Sequence, residues 1–299
     1  MEIRQLKYFV KVAETGSFSE TSRQMCISQS AVSQQIKALE DELGVQLFIR
    51  QSRNVPLTEN GKELLPLARQ VLSFLSDCNE RLNALKGLLC GEINIGLTFS
   101  MEPFLRETIV DFMKQYPRVL INIYYKGINE LMEMLRESEI DVLFSMKPPV
   151  YYDYVDSQPV TEYHLAAIMR SNHVLANQSV LTFKDLERHW LVLPEKGIRE
   201  RNAIETFLQT DTGKLNVRSY INDQNALLNI IEATNCISIL AEQSIKDRPL
   251  LKGIRISELY TPIRVYAHFN KDVIHKNSVD VFLKMLKESS TLYAIRNRI

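Results

Sequence analysis

Between Gly16 and Thr58, stop and start signals follow one another so closely that only short, sharply packed helices can form there. Leu6, Phe9, Val10 and Ala13 recur at helical spacing before Gly16, a residue suited to the left-handed position just past a helix end. Ser17 and Glu20 read as a capping box, each able to satisfy a backbone donor of the other, and the helix they open reaches only to about Met25. Ser28 caps a third helix, in which Val32, Ile36, Leu39 and Leu43 share one face and Gly44 closes the end. Its other faces carry Gln29, Ser30, Ser33, Gln34 and Lys37, while Glu40 and Glu42 read as ordinary solvated charge. Short polar side chains on a helix that follows a tight turn suit insertion into a DNA major groove, with the N-terminal residues on base edges. A three-helix core without a nucleic-acid role would explain each cap singly, but not their succession.

The next residues strengthen the DNA reading. Leu47 to Arg50 and Val55 to Thr58 flank Gln51-Ser52-Arg53-Asn54, which reads as a hairpin with cations at its tip. Such a wing sets Arg50 and Arg53 against phosphate or in the narrow minor groove. Overall charge gives no help, because 36 basic residues balance 36 acidic ones. Any affinity for phosphate must therefore come from where the cations stand.

The 299 residues leave room for two or three domains, each with its own core. Cys26, Cys78, Cys90 and Cys236 are far apart and form no CxxC, which fits buried thiols in a reducing compartment better than disulfides or a zinc site. The N-terminus lacks the apolar core of an export signal, and no apolar run of about 18 residues occurs. A cytoplasmic protein without a membrane partner is expected.

From Thr58, a good N-cap, a helical pattern runs to about Leu89. Leu64, Ala68, Val71, Leu75, Cys78, Leu82, Leu85 and Leu89 alternate spacings of four and three. A period of 3.5 sustained over that length predicts a partner helix, with Pro66 loosening the first turns and Cys78 acting as a small buried hydrophobe. Gly87 to Gly91 marks a boundary. Beyond it, apolar alternation over Glu92–Leu97 begins an α/β series with largely parallel pairing: Pro103–Tyr116 helical, Leu120–Tyr125 extended, Asn129–Ser138 helical, Ile140–Ser145 extended. Later segments repeat the theme at His164–Arg170, Leu191–Pro194, Asn202–Gln209, Val217–Ile221, Asn225–Ala233, Ile237–Leu240, Ile263–Phe269 and Ser278–Ser289. The first and last parts form one lobe and the middle another, with crossings around Val160 and Pro262.

These residues carry a resemblance. Leu6-Lys7-Tyr8-Phe9, Gly16-Ser17-Phe18, Ser28 to Ser33, Ile36 to Glu40, Leu43 to Phe48, Arg50, Arg53 and Leu57 to Gly61 are similar to the LysR-type transcriptional regulators, densely over residues 1–62 and more loosely to the C-terminus. The resemblance implies a winged helix-turn-helix over residues 1–58 and a linker helix over 59–90 that pairs subunits. It also implies an effector-binding domain over 91–299, similar to periplasmic binding proteins, with lobe I at about 91–161 and 266–299 and lobe II at about 162–265. Promoter DNA, a small-molecule effector and a homodimer or homotetramer are the partners so implied. Gln29, Ser30, Ser33 and Gln34 would face bases or phosphates, with Lys37 on the same helix and Arg50 and Arg53 in the wing. The sequence departs from the family pattern at Thr234-Asn235-Cys236, where a glycine-containing turn is usual.

Ligands of such folds bind near strand ends and helix N-termini, where free N–H groups favour anions. That singles out Thr98, Ser100, Met101, Ser145, Lys147, Arg199, Asp223 and Gln224, and Lys147 or Arg199 would favour a carboxylate. Two other functions compete. Peroxide-sensing members of the family it resembles use two cysteines in the middle lobe, whereas here Glu195 to Thr212 holds none and Cys236 stands without a nearby partner. An enzyme would need a constellation such as HExxH, GxSxG, GxGxxG or GxxxxGK[ST], none of which is present, and the five histidines lie outside ligand spacing. No catalytic role, cofactor or metal is expected.

Overall fold

A computed structural model describes residues 1–49, 55–84, 89–146, 152–196, 201–202, 204–205 and 215–289. The N-terminal part is built from α1 (Ile3–Thr15), α2 (Phe18–Gln24) and α3 (Gln29–Leu43), followed by a long α4 (Glu59–Ala84). Gly16 ends α1 in the left-handed region at φ 61°, as expected for a C-terminal glycine. Ser17 accepts the Glu20 backbone amide, but the Glu20 carboxylate pairs with Arg23 at 2.7 Å and accepts from the Gln24 side-chain Nε2 at 3.0 Å. The reciprocal half of the expected capping box gives way to these pairs, which serve the same helix from outside.

Leu6, Phe9, Val32, Ile36, Leu39, Leu47 and Phe48 make the core of this module, with Val12 added from α1. Phe48 is its aromatic junction, with ring centroids 5.5 Å from Phe9 and 5.9 Å from Phe18. Two readings of α3 are corrected. Leu43 is exposed near the helix end, whereas Glu40 is buried at 2% exposure. The Glu40 carboxylate accepts the backbone amides of Leu47 at 2.8 Å and Phe48 at 3.3 Å. A buried carboxylate is tolerable here because those donors would otherwise face the apolar core unpaired.

The wing base follows directly. Phe48 bridges Leu57, and the Ile49 amide reaches the Pro56 carbonyl at 2.9 Å. Thr58 then caps α4 by accepting the Gly61 amide at 3.1 Å. At Gly61 a Cβ would lie 2.3 Å from the Leu47 carbonyl oxygen, so only glycine lets α4 come this close. Helix α4 is described to Ala84, short of the expected Leu89; Leu89 lies in the core of the following domain, and Leu85 falls outside the described residues.

That domain holds a five-stranded sheet in the order β2-β1-β3-β11-β4 and a four-stranded sheet in the order β6-β10-β5-β9. The first comprises β1 (Gly91–Leu97), β2 (Val119–Tyr125), β3 (Val142–Ser145), β4 (Val155–Tyr163) and β11 (Ile263–Asn270), covered by α5 (Glu102–Gln115), α6 (Ile128–Arg136) and α9 (Asn277–Glu288). The second comprises β5 (Leu165–Arg170), β6 (Val180–Leu181), β9 (Ser238–Ala241) and β10 (Leu251–Ile256), with a short α7 (Phe183–Leu186). A parallel pair, β7 (Trp190–Pro194) and β8 (Asn216–Ile221), leads to α8 (Gln224–Ala233), and Leu191 bridges Ile237 beside β9.

Among the described residues, parallel pairing joins β1 with β2 and β3, β6 with β10, and β7 with β8, with one further parallel bridge between Leu191 and Ile237. Where the chain crosses between sheets, β11 runs antiparallel to β3 and β4, and β5 antiparallel to β9 and β10. The expectation of largely parallel pairing is corrected by those crossings, since a returning strand laid beside a departing one runs against it. Strand β4 is an edge strand, which is why Pro159 is tolerated within it. One apolar core runs through both sheets, with Phe282 of α9 within 5.5 Å of Phe112 and 6.2 Å of Phe144. At Thr234 the departure from the family turn has a local answer: the Thr234 hydroxyl donates to the Ile230 carbonyl at 2.7 Å and accepts the Cys236 amide at 3.2 Å, closing α8 without a left-handed residue.

Replacing Glu40 by Ala strands the amides of Leu47 and Phe48 and should cost the N-terminal module about 2 kcal/mol. A thermal melt followed by circular dichroism reads this as a lowered midpoint, with Glu40→Gln falling between.

Candidate nucleic-acid interface and sensor cleft

The outward stripe of α3 is built by its own N-terminus. Ser28 accepts the Ala31 amide at 3.2 Å and shares a 3.0 Å contact with the Ser30 hydroxyl. Ser19 of α2 donates to the Gln29 side-chain oxygen at 2.8 Å, which orients that carboxamide and leaves its NH2 as the group to meet an acceptor. Gln29, Ser30, Gln34 and Lys37 are exposed and Ser33 is half-buried. Spacings of three and four put these five on one stripe that contains no acid; Asp41 and Glu42 stand at the far end. The positive end of the helix dipole lies under the Gln29 end, adding to its preference for phosphate. Cys26, in the turn before α3, takes a left-handed φ of 54°. Arg50 and Arg53 fall outside the described residues.

Helix α4 presents distinct faces. Leu64, Leu65, Ala68 and Leu72 pack on the N-terminal core. Leu67, Val71, Phe74, Cys78 and Leu82 are exposed at spacings of four, three, four and four. The expected seam therefore divides. Its early residues bury within the chain, Leu75 is half-buried, and Val71, Cys78 and Leu82 remain open. The expectation of buried thiols holds for Cys236 alone; Cys26 and Cys78 are exposed and Cys90 is half-buried.

In the α/β domain, strand ends gather the candidate sensor residues. The Thr98 amide reaches the Phe144 carbonyl at 3.3 Å, so the ends of β1 and β3 lie side by side. Thr98 is half-buried there, with Ser100 and Met101 buried behind it. Ser145 is buried, and its hydroxyl lies 2.8 Å from His268 Nε2, while Ser157 lies 2.7 Å from Nδ1 of the same fully buried ring. Across the domain, Asp223 is exposed and caps α8 by accepting the Ala226 amide at 2.6 Å, and Gln224 is half-buried beside it. Lys147 and Arg199 lie outside the described residues, as does most of the helix expected over Asn202–Gln209. Two ion pairs join the halves, Arg106 with Asp247 and Glu107 with Lys246 at 3.5 Å. The Arg106 guanidinium is held above its ordinary pKa, first by its hydrogen bond to Glu102.

One residue escaped the sequence reading. Arg201 is 3% exposed, lies 3.2 Å from Glu205 and stacks 5.1 Å from the Tyr220 ring, while its Nε and Nη1 have no hydrogen-bond partner among the described residues. Its i,i+4 spacing from Glu205 was the available signal. Among the described residues, no cluster of three metal-ligating side chains occurs, and no helix is long and apolar enough to cross a membrane.

The family model for the LysR substrate binding domain matches residues 86–291, and that for the bacterial regulatory helix-turn-helix protein of the lysR family matches residues 3–62. A Bacillus subtilis relative, the uncharacterized HTH-type transcriptional regulator YvbU, is 32% identical over 295 residues, covering 96% of this chain and 98% of its own. A full-length OxyR variant from Pseudomonas aeruginosa superposes with a TM-score of 0.77 at 19% identity, covering 98% and 97% of the two chains. Full-length CbnR complexed with its target DNA superposes with a TM-score of 0.64 at 23% identity, covering 97% and 100%.

Proposed function

The chain belongs to the LysR family of bacterial transcriptional regulators, and from that premise we propose how its residues divide the work. Residues 1–58 read promoter DNA, 59–90 pair two subunits, and 91–299 sense a small molecule between two lobes. The observation that carries the DNA assignment is the acid-free polar stripe of α3, set on a rigid core and aimed outward. Gln29, Ser30, Ser33 and Gln34 contact bases or neighbouring phosphates there, Lys37 a phosphate, and Arg50 and Arg53 the flanking backbone or minor groove. The CbnR structure was solved with its target DNA, and the shared fold supports the same use here.

Pairing falls to the open apolar stripe of α4. Five exposed apolar or thiol side chains at near-heptad spacing cost free energy in water that a second copy of the helix would recover. A homodimer, and a homotetramer through further contacts of the α/β domains, follow from that reading. The effector occupies the region bounded by the ends of β1 and β3 on one side and by Asp223, Gln224 and Arg201 on the other. Thr98, Ser100, Met101 and Ser145 serve the first lobe, Lys147 and Arg199 supply further cations, and buried Arg201, with two donors that have no partner among the described residues, favours an anionic group such as a carboxylate. Binding there biases the arrangement of subunits and so promoter occupancy. The chain acts by occupancy rather than catalysis, needs no cofactor, and works in the cytoplasm, where the chromosome is.

Ser33→Glu sets a carboxylate against phosphates and base acceptors. It should weaken binding to an occupied promoter fragment by about 3 kcal/mol, on the order of a hundredfold. Fluorescence anisotropy titration reads this directly, and undiminished affinity would take DNA contact away from α3. Val71→Asp combined with Leu82→Asp should convert the dimer to monomer in sedimentation velocity; an unchanged dimer would move the pairing surface elsewhere.

A further inference from the structure

Helix α4 has a third face, the one that carries Arg69. Arg69, whose side chain is 11% exposed, lies 2.7 Å from Glu139 and 3.4 Å from Glu137. Both acids belong to the corner between α6 and β3, so this contact joins the linker helix to the first sheet of the sensor. Between them Ser138 takes a left-handed φ of 57°, a conformation uncommon for a residue with a Cβ, which turns the two carboxylates to the same side. One helical turn beyond Arg69, Ser73 lines a small cavity of about 20 Å³ whose walls mix Ile140, Val273 and Ile274 with Ser138, Asp141 and Lys276. The Ser138 hydroxyl there is buried without a hydrogen-bond partner among the described residues. Burial lifts the Tyr124 phenol of β2 above its usual range, and Glu92, Glu139, Glu14 of α1 and Asp141 push it the same way.

We propose that Arg69, gripped by Glu137 and Glu139, is a releasable latch that sets the angle at which α4 and its DNA-reading module leave the sensor. The contrast between faces carries the idea. The face of α4 toward the N-terminal core is apolar and closed by backbone contact at Gly61, whereas the face toward the sensor puts no α4 side chain into the sensor's apolar core and meets it through the Arg69 ion pairs, a small unfilled cavity and a contact with α9. Apolar packing resists separation, while an ion pair near solvent exchanges readily for water and salt. The latch also stands at one end of a rigid element. Strand β3 begins just past Asp141, which is fixed by the Asn94 amide at 2.7 Å and Lys276 at 3.0 Å, and it ends at Ser145 beside Thr98. A shift at the sensor end of β3 therefore reaches Glu139 through a four-residue strand.

Charge reversal and swap test the latch in the full-length protein. Hydrogen–deuterium exchange at Glu137–Asp141 and Arg69–Ser73 should quicken about fivefold in Arg69→Glu, as expected when an ion pair of this kind is lost. The doubly reversed chain, Arg69→Glu with Glu139→Arg, should return toward the parental rate, and a melting curve for each variant separates local opening from unfolding. The footprint on an occupied promoter should change extent in the single variant and recover in the double. Unchanged exchange, or failure of the swap to restore it, would overturn the latch. Altered exchange with an unaltered footprint would overturn its control of the DNA-reading module. The footprint arm rests on the function proposed above and the exchange arm does not, so the two failures remain distinct.

Discussion

The backbone of Leu47 is where the N-terminal helices are tied together. Its amide donates to the buried Glu40 carboxylate of α3, its carbonyl accepts the Thr58 amide at the head of α4, and its side chain sits in the core with Leu6 and Phe9. Gly61 packs against the same carbonyl at a distance no Cβ could share. These contacts are short and mutually dependent, so α3 and α4 are held as one body. Whatever positions α4 positions the DNA-reading surface.

That rigidity gives meaning to the three faces of α4. One is spent inside the chain on the N-terminal core. One is open and apolar, fit for a second copy. One carries Arg69 and meets the sensor through its ion pairs and a contact with α9. A regulator needs a stable reader and a stable pairing, together with a third relation that a modest binding free energy can shift. Apolar burial suits the first two, while a partly solvated ion pair is of the size that an effector can bias.

Much of this was legible in the residues because local signals agreed with tertiary demands. Ser28, Thr58, Gly16 and Gly44 cap or close helices where their chemistry says they should. What escaped has a common cause: it depends on partners distant in sequence. Glu40 looks like surface charge until the wing folds back and presents two amides to it. Strand β4, with Asp156, Gln158, Pro159 and Glu162, shows no apolar alternation because it lies at a sheet edge, and its partner β11 is about a hundred residues away in the chain. The partner of the Ser145 hydroxyl, His268, lies on β11, far along the chain, and no local signal announces it. Arg201 carries no motif, and only the fold reveals that its guanidinium is buried with two donors that find no partner among the described residues.

Selection of binding sites from a random duplex pool by the full-length protein tests the central claim most directly. Two rigid readers joined through α4 should enrich paired half-sites related by dyad symmetry and set apart by a whole number of helical turns, about 10.5 base pairs each. Enrichment of isolated single sites, or none above the starting pool, would contradict the account of a paired DNA reader.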